Sequence, residues 1–461
     1  MARIVILGAG ISGLTAAFEA SASPHEIVLL EGSPQIGGKL RLATIAGHQV
    51  DVGAESMLAR RPEALELLAD LDVDPVHPAS ISASIWTRDA LRPMPKGTLL
   101  GVPADASSMA SLLTHAELDR ARDERLVDVS GDLSIGELVE SALGPAVVDR
   151  LVEPLLGGVY AGHARKLSAA ATAPALLAAA QHQRLLTDAA RSAAAKSGAV
   201  DGAAQPVFAG VRGGVGSLPK LLVRVLLDRG VTVRTGATAR DIERAGRSWR
   251  VTLGETRSPE VIDADAIIIA TPARATARLL TEVVPDAATA LADIDYASMA
   301  IVTYAFRSTE SAAFAGSSGF LVPPVDGRRI KASTFSSSKW PWLAEVAPEV
   351  TFARVSIGRH GEEADLQKSD AELAAAGMAD LRAALGDGLP RPVAAHVQRW
   401  GGALPQYAVG HLDRIASVRA DLAALPGLEV AGAAYEGVGI PACIGTGRKA
   451  AGAVLTHLAG H

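Results

Sequence analysis

Along the chain the spacing of apolar positions changes period several times, and each change predicts a change of architecture. Ile4–Leu7 is an unbroken aliphatic run, the mark of a parallel strand buried on both faces. The turn Gly8-Ala9-Gly10-Ile11-Ser12-Gly13 follows at once, then a helical stretch from Leu14 to about Ser21 and a second strand, Ile27–Leu30, ending at Glu31. Further short strands are expected up to residue 85. Between residues 96 and 207 the period turns helical. Met109–Arg125 and Ile135–Leu151 carry apolar residues at helical spacing, the second with a break at Gly144-Pro145. Strand-like alternation is nearly absent there, which predicts a helical insertion. Strand-type runs return at Val231–Arg234, Trp249–Leu253 and Ala266–Ile269. They recur at Ala300–Phe306, Gly319–Val322 and Val350–Ile357, with one helix around Ala371–Leu385. The tail predicts a strand, Leu428–Ala431, a glycine-rich turn and a closing helix from about Ile444. The chain thus leaves its first domain and returns to it twice.

Composition narrows the class. A chain of 461 residues exceeds one ordinary core, so two or three packed domains are expected. Hydrophobic residues at 49% and charged ones at 20% fit a folded protein. The net charge of −6 gives no overall attraction to nucleic acid, so an anionic ligand needs a local basic cluster. The single cysteine, Cys443, excludes an intrachain disulfide and a multi-cysteine metal site, and no metal is expected. It points to a reducing compartment, most simply the cytosol, so a cytoplasmic location is expected. The first residues lack a cleavable apolar stretch, and no run of about 18 apolar residues predicts a spanning helix. The alanine-rich stretch 167–200 is interrupted by Pro174, Gln181, His182, Arg184 and Asp188, which suits a soluble helix pair.

The first 31 residues carry the clearest chemistry. In the strand–turn–helix–strand register, Gly8 permits the tight turn, Gly10 lets the backbone approach a pyrophosphate, and Gly13 lets helix and strand pack closely. Backbone N–H groups at the helix start, from Ile11 and Ser12 onward, hold the pyrophosphate. Glu31 is placed to accept hydrogen bonds from ribose hydroxyls.

The run from Glu31 through Gly37, Gly38, Lys39 and Arg41 resembles the second glycine pair of the flavin amine-oxidase superfamily, which implies FAD rather than NAD. In that superfamily a basic residue follows the glycine pair near the flavin diphosphate; here it is Lys39, a point charge where Arg is usual. Ala266–Ala270 followed by Thr271-Pro272 resembles the strand-end turn that returns to the flavin domain. Leu428 to Pro441, with Gly432, Val438, Gly439 and Ile440, resembles the segment that meets the flavin's ribityl phosphate and pyrimidine edge. Ala433 stands where many relatives carry an acidic residue, and Ala239, beside Thr238, fills a slot for adenine that usually holds Val.

Five stretches narrow the resemblance: Asp51–Ser56 with Gly53 and Ala54, Glu153–Gly162, Phe208–Gly214, Trp400–Tyr407 and Tyr435–Pro441. As a set they resemble the bacterial protoporphyrinogen and coproporphyrinogen III oxidases. That resemblance implies an α/β fold: a Rossmann-like FAD-binding domain (1–85, 208–290, 412–461), a mixed-sheet substrate domain (86–95, 291–411) and the helical insertion (96–207). It implies that flavin N5 carries the chemistry: it takes a hydride from a porphyrinogen meso carbon, and molecular oxygen then reoxidises the flavin, giving hydrogen peroxide. No catalytic side chain is nominated; His48, His163 and His411 are each more often structural. The adjacent cations Arg60 and Arg61 are candidate propionate partners, equally readable as solvated surface charges. Lacking a visible anchor, the chain looks most like the soluble type, which favours coproporphyrinogen III over protoporphyrinogen, and a ferrochelatase is the implied recipient of the product. Ser217 is expected to cap a helix with Pro219 in its first turn, and Cys443 to be a buried thiol rather than a flavin attachment point. A flavin amine oxidase would share the fold but is expected to show paired aromatics facing the flavin; Tyr435 alone does not supply them. A carotenoid desaturase should show a more apolar entrance, and a flavoprotein without turnover is the non-enzymatic alternative.

Overall fold

Aliphatic runs that lack polar alternation need cover on both sides, and they find it in one parallel sheet. The computed structural model describes residues 1–196, 206–255 and 257–460. In it Arg3–Leu7 lies between Glu26–Leu30 and Ala266–Ile269; Thr232–Arg234 and Leu428–Val430 flank them, all parallel. Ile4 and Ile6 pack on one side with Leu14, Ala17 and the last helix. Val5 and Leu7 pack on the other with Trp249, Val251 and Ile269. Alternate residues of one strand therefore serve two cores. A three-stranded antiparallel sheet, Ala239–Ala245, Ser248–Glu255 and Ser258–Ala264, covers that second side.

The second large sheet has seven strands and mixed direction. Its order is Ala394–Pro405, Tyr296–Arg307, Val350–Ile357, Ile330–Thr334, Gly319–Leu321, Ser84–Thr87 and Ala90–Pro93. Gly319–Leu321 and Ser84–Thr87 run parallel; the other pairs are antiparallel. One face packs on the helix Asp370–Leu385 through Tyr304, Phe306, Val355 and Leu381.

The insertion is helical, with differences of detail. A short hairpin of Thr98–Leu99 with Val102–Pro103 opens it, where the sequence predicts no strand. Met109–Arg125 is not one helix: a 3-10 turn, Ala106–Met109, is followed by a separate helix, His115–Arg122. Its start is a capping box, Thr114 Oγ1 accepting from Glu117 N while Glu117 Oε2 accepts from Thr114 N. The break at Gly144 occurs at φ +93°, where the left-handed backbone suits glycine. Beyond it the chain re-enters helix at Pro145, widens into a π turn at Val148–Val152 and continues to Tyr160, past the expected end. The closing helix begins at Ile440, earlier than expected, with Pro441 in its first turn. Among the described residues no helix is long and apolar enough to cross a membrane.

Candidate functional site

Two helices begin at the same place in space. Ile11–Ala20 and Ile440–Ala459 pack so closely that a Cβ on Gly447 would lie 2.3 Å from Ser12 O. Their N caps are Gly10 and Gly439, and neither makes a side-chain cap hydrogen bond. The first-turn N–H groups of a helix have no partners within it, so these two ends carry a concentration of donors and positive dipole.

The two cap glycines test whether something outside the chain belongs there. Gly10 has φ −71° and ψ 176°, and Gly439 has φ −71° and ψ 153°, extended backbone open to any residue. A Cβ at Gly10 would meet nothing within 4 Å, and one at Gly439 only Pro441 Cδ at 3.7 Å. Neither conformation nor packing within the protein demands glycine at either position. Close approach of a ligand to both backbones would demand it, and the open space suits a dinucleotide phosphate. Gly8 and Gly13 differ: a Cβ there would lie 2.7 Å from Ala270 O and 1.9 Å from Gly8 O, so these two serve the fold. Gly13 lies inside the helix, which starts at Ile11 rather than Leu14.

Around this point the structure gathers most of the predicted cofactor residues. Glu31 Oε2 accepts from Ala9 N at 2.8 Å and Oε1 from Ser33 N at 2.8 Å, so the carboxylate is fixed beside the turn with lone pairs left for hydroxyl donors. Gly37 bridges Gly10 and donates to Ala9 O at 2.8 Å, which brings Gly37 and Gly38 onto the first turn. Ala54 N donates to Lys39 O at 3.1 Å, and a Cβ on Gly53 would strike that same oxygen. Ala270 N donates to Leu7 O, and Thr271 Cγ2 lies beside Gly8. Ala239 opens the strand that follows Thr238, whose hydroxyl lies against Gly32. Gly432 N donates to Thr446 Oγ1 at 3.0 Å, tying the segment 432–440 to the last helix. Val438 packs toward the helical insertion, and Ile440 toward the parallel-sheet core.

Charge follows the same geometry. Burial lowers the Lys39 pKa, and the Cys443 thiol nearby is pushed up by its own burial. Lys39 makes no ion pair among the described residues, which suits a phosphate partner. Arg41 closes the run that resembles the second glycine pair but has no assigned role there: its guanidinium lies over the Trp400 ring at 5.2 Å, and its Nε is buried without a hydrogen-bond partner. Trp400 in turn donates to Val52 O at 3.0 Å. Arg354 escaped the sequence reading, donating to Gly53 O at 3.1 Å from the seven-stranded sheet. Arg354 has no local sequence signal, since it is one arginine among many, and Arg41 has only its place at the end of that run.

The two candidate propionate partners part company. Arg60 is exposed, with no ion pair among the described residues. Arg61 stands at the N-cap position of the helix Pro62–Asp70 without a side-chain cap bond and is held by the Glu63 carboxylate, its Nη1 3.9 Å from where a Gly437 Cβ would stand. The expected Ser217 cap is a correction. Its backbone is already helical, continuing the turn Val215–Ser217, so Ser217 Oγ donates backwards to Gly214 O at 2.7 Å and caps nothing. Tyr407 and Tyr435 are buried to 2% and 1% exposure. His163 and His411 are each engaged in packing, the first bridging Glu153 and His360 O, the second stacked on Tyr407.

Comparison with known proteins agrees with this geometry. Residues 11–455 match the family described as flavin containing amine oxidoreductase. The chain is 37% identical to the coproporphyrinogen III oxidase of Mycobacterium tuberculosis (strain ATCC 25618 / H37Rv), over 98% of this chain and 97% of that one. It is 31% identical to the coproporphyrinogen III oxidase of Bacillus subtilis (strain 168), over 99% and 98%. A solved structure from Exiguobacterium sp. 255-15, provisionally named a protoporphyrinogen oxidase, superposes with a TM-score of 0.84 at 30% identity, over 99% of each chain. The resemblance carried by the five motif stretches is borne out, and the cofactor is FAD. With nearly its whole length matched, and two uncapped helix ends shaped for a dinucleotide, this chain belongs to the flavin containing amine oxidoreductase family.

Proposed function

We propose that this protein is an oxidase that converts coproporphyrinogen III to coproporphyrin III, consuming molecular oxygen and releasing hydrogen peroxide. The observation that carries this reading is end-to-end identity, at 37%, to a relative of that name. When bound, FAD supplies hydride acceptance from a meso carbon and return of the electrons to oxygen. Removing six electrons and six hydrogens from one porphyrinogen balances three oxygen molecules reduced to three of peroxide.

The chain's own residues bind and orient. In this reading the N–H groups of Ile11, Ser12 and Gly13 and the cation of Lys39 hold the diphosphate, and Glu31 holds the ribose. Gly37, Gly38, Gly53, Ala54, Ala239, Ala270 and Thr271 line the cofactor, and Gly432, Val438, Gly439 and Ile440 take its pyrimidine side. Residues 1–85, 208–290 and 412–461 form the flavin domain, 86–95 and 291–411 the substrate domain, and 96–207 the helical domain. The substrate's carboxylates call for local cations in a chain of net charge −6, and Arg60 and Arg61 are our candidates. A cytoplasmic setting, with the porphyrin passing to a ferrochelatase, completes the reading.

Anaerobic mixing with each porphyrinogen tests it. Coproporphyrinogen III should bleach the flavin, admission of oxygen should then yield porphyrin fluorescence, and steady-state kcat/KM in air should favour it over protoporphyrinogen. The reverse preference would overturn the substrate while leaving the family intact.

A further inference from the structure

Tyr407 stands where three parts of the molecule meet. It lies two residues beyond the strand Ala394–Pro405, at the edge of the seven-stranded sheet. Its carbonyl accepts from Ser168 N at 2.7 Å, in the helical insertion. Its ring lies 5.6 Å from that of Tyr160, at the end of the helix Glu153–Tyr160, and stacks on His411 at 3.9 Å and 14°. The neighbouring Gln406 Nε2 donates to Tyr160 O at 2.8 Å, and a Cβ on Gly162 would collide with Gln406 Oε1, so the contact between strand and insertion is tight.

The phenol oxygen reaches further, into the loop before the last helix. It donates to Ala433 O at 2.5 Å and accepts from Gly437 N at 2.8 Å. One atom thus joins both limbs of a loop whose glycines 432 and 437 adopt φ +135° and +129°. A packing role needs only the ring, which phenylalanine would supply. The hydroxyl does something else.

We propose that Tyr407 is a positioning residue: its hydroxyl sets the shape of loop 432–439 and thereby the affinity and potential of the bound flavin. The inference rests on our placing of that loop against the flavin. The helix that begins at Ile440 presents its positive end there, and backbone donors near the pyrimidine side are a means by which a protein tunes a flavin. Without the hydroxyl, Ala433 O and Gly437 N lose their shared partner, and the loop is free to turn these peptides.

The test compares purified holoprotein variants by the rate of FAD release on dilution and by the flavin midpoint potential. Tyr407→Phe should release FAD about tenfold faster, the worth of one buried hydrogen bond, and shift the potential. Asp132→Asn is the structural control. Asp132 accepts from Ser168 Oγ, Ala170 N and Gly410 N, so this variant loosens the same junction without touching the loop. It should lower Tm and leave the potential unchanged. Wild-type release and potential in Tyr407→Phe, or an equal shift in Asp132→Asn, would overturn the proposal. Gly439→Val separates it from its premise: if that variant also leaves FAD release unchanged, the loop is not at the flavin. If Tyr407→Phe does not fold, a ring-fluorinated tyrosine at 407 keeps the shape while altering the hydroxyl, and an unchanged potential then overturns the proposal.

Discussion

Glu55 and Arg354 form a buried ion pair, Oε2 to Nε at 3.2 Å with side chains 6% and 15% exposed, that joins the segment after the strand His48–Asp51 to the seven-stranded sheet. The carboxylate also receives Trp340 Nε1 at 2.8 Å, Ser336 Oγ at 2.9 Å and Lys339 Nζ at 3.0 Å. Arg354 in turn donates to Gly53 O, so the backbone expected to touch the cofactor hangs from this cluster.

Glu55→Gln should therefore destabilise the protein by about 3 kcal/mol, because two largely buried cations, Arg354 and Lys339, lose their countercharge. Arg354 and Lys339 hold the Glu55 carboxyl down to about 2 against its burial. The stabilisation is present above the unfolded carboxylate range and is lost as pH falls toward 2. Denaturant unfolding across acid pH checks both statements; wild-type stability of E55Q at neutral pH would show that this cluster does not hold the two segments together.

Gly10 is open on its Cβ side, whereas Gly13 is closed by Gly8 O. Gly10→Val should fold with near-wild-type Tm as apoprotein yet purify without FAD, while Gly13→Val should fail to fold properly. A yellow Gly10→Val protein would mean that the turn does not hold the diphosphate. In wild type, acid should release intact FAD, since the Cys443 thiol is buried.

His163 bridges two acceptors: Nδ1 lies 2.9 Å from Glu153 Oε1 and Nε2 3.0 Å from His360 O. A neutral imidazole has one N–H, so both bonds require the imidazolium. The Glu153 hydrogen bond raises the His163 pKa, opposed by burial and helped by the charges of Glu153 and Glu362. Stabilisation is then full below about 6.5 and is lost as pH rises through the higher folded value. Asp51, pushed up to about 7 by burial, costs stability between the ordinary carboxylate range and about 7 and nothing further above it. His163 contributes a decline just above neutrality, set against the rise that Lys331, lowered to about 7 by burial, contributes as pH climbs. The buried Cys443 thiol adds its own decline only at alkaline pH. His163→Gln should make the slope of stability near neutrality more positive in urea unfolding. An unchanged slope in that variant would assign the decline to another group.

Arg60→Ala should raise KM on the order of tenfold with kcat unchanged, because a remote propionate is held alike in ground and transition states. Arg61→Ala should act less on KM, since Glu63 already occupies the guanidinium. Steady-state kinetics with bound-FAD ratios separates the two. Unchanged KM in both variants would place the propionate site elsewhere.

What the sequence by itself determined is local. The turn from Gly8 to Gly13, the acidic residue at 31 and the aliphatic strands Ile4–Leu7 and Ala266–Ile269 follow from backbone sterics and from apolar runs that need cover on both faces. Those rules act within a few residues, so they are readable without knowing the neighbours. The capping box at Thr114, which divides Met109–Arg125, was legible by the same rules, although helical periodicity spoke for one helix.

Tertiary structure decided the rest. That Tyr407 joins Ala433 to Gly437, that Arg41 lies on Trp400, and that Glu55 meets Arg354 and Lys339 are contacts between polar groups far apart in the chain. Such pairs leave no period in the sequence, because each partner satisfies a hydrogen-bonding need that any donor or acceptor of suitable reach could meet. Ser217 shows the same limit at short range: its residue type suits a cap, but the turn before it had already committed the backbone to helix and the hydroxyl to Gly214. Arg60 and Arg61 are adjacent and alike in sequence, and a single carboxylate, Glu63, separates their fates. Periodicity reports which faces must be covered; the partner that covers them is chosen only when distant segments arrive.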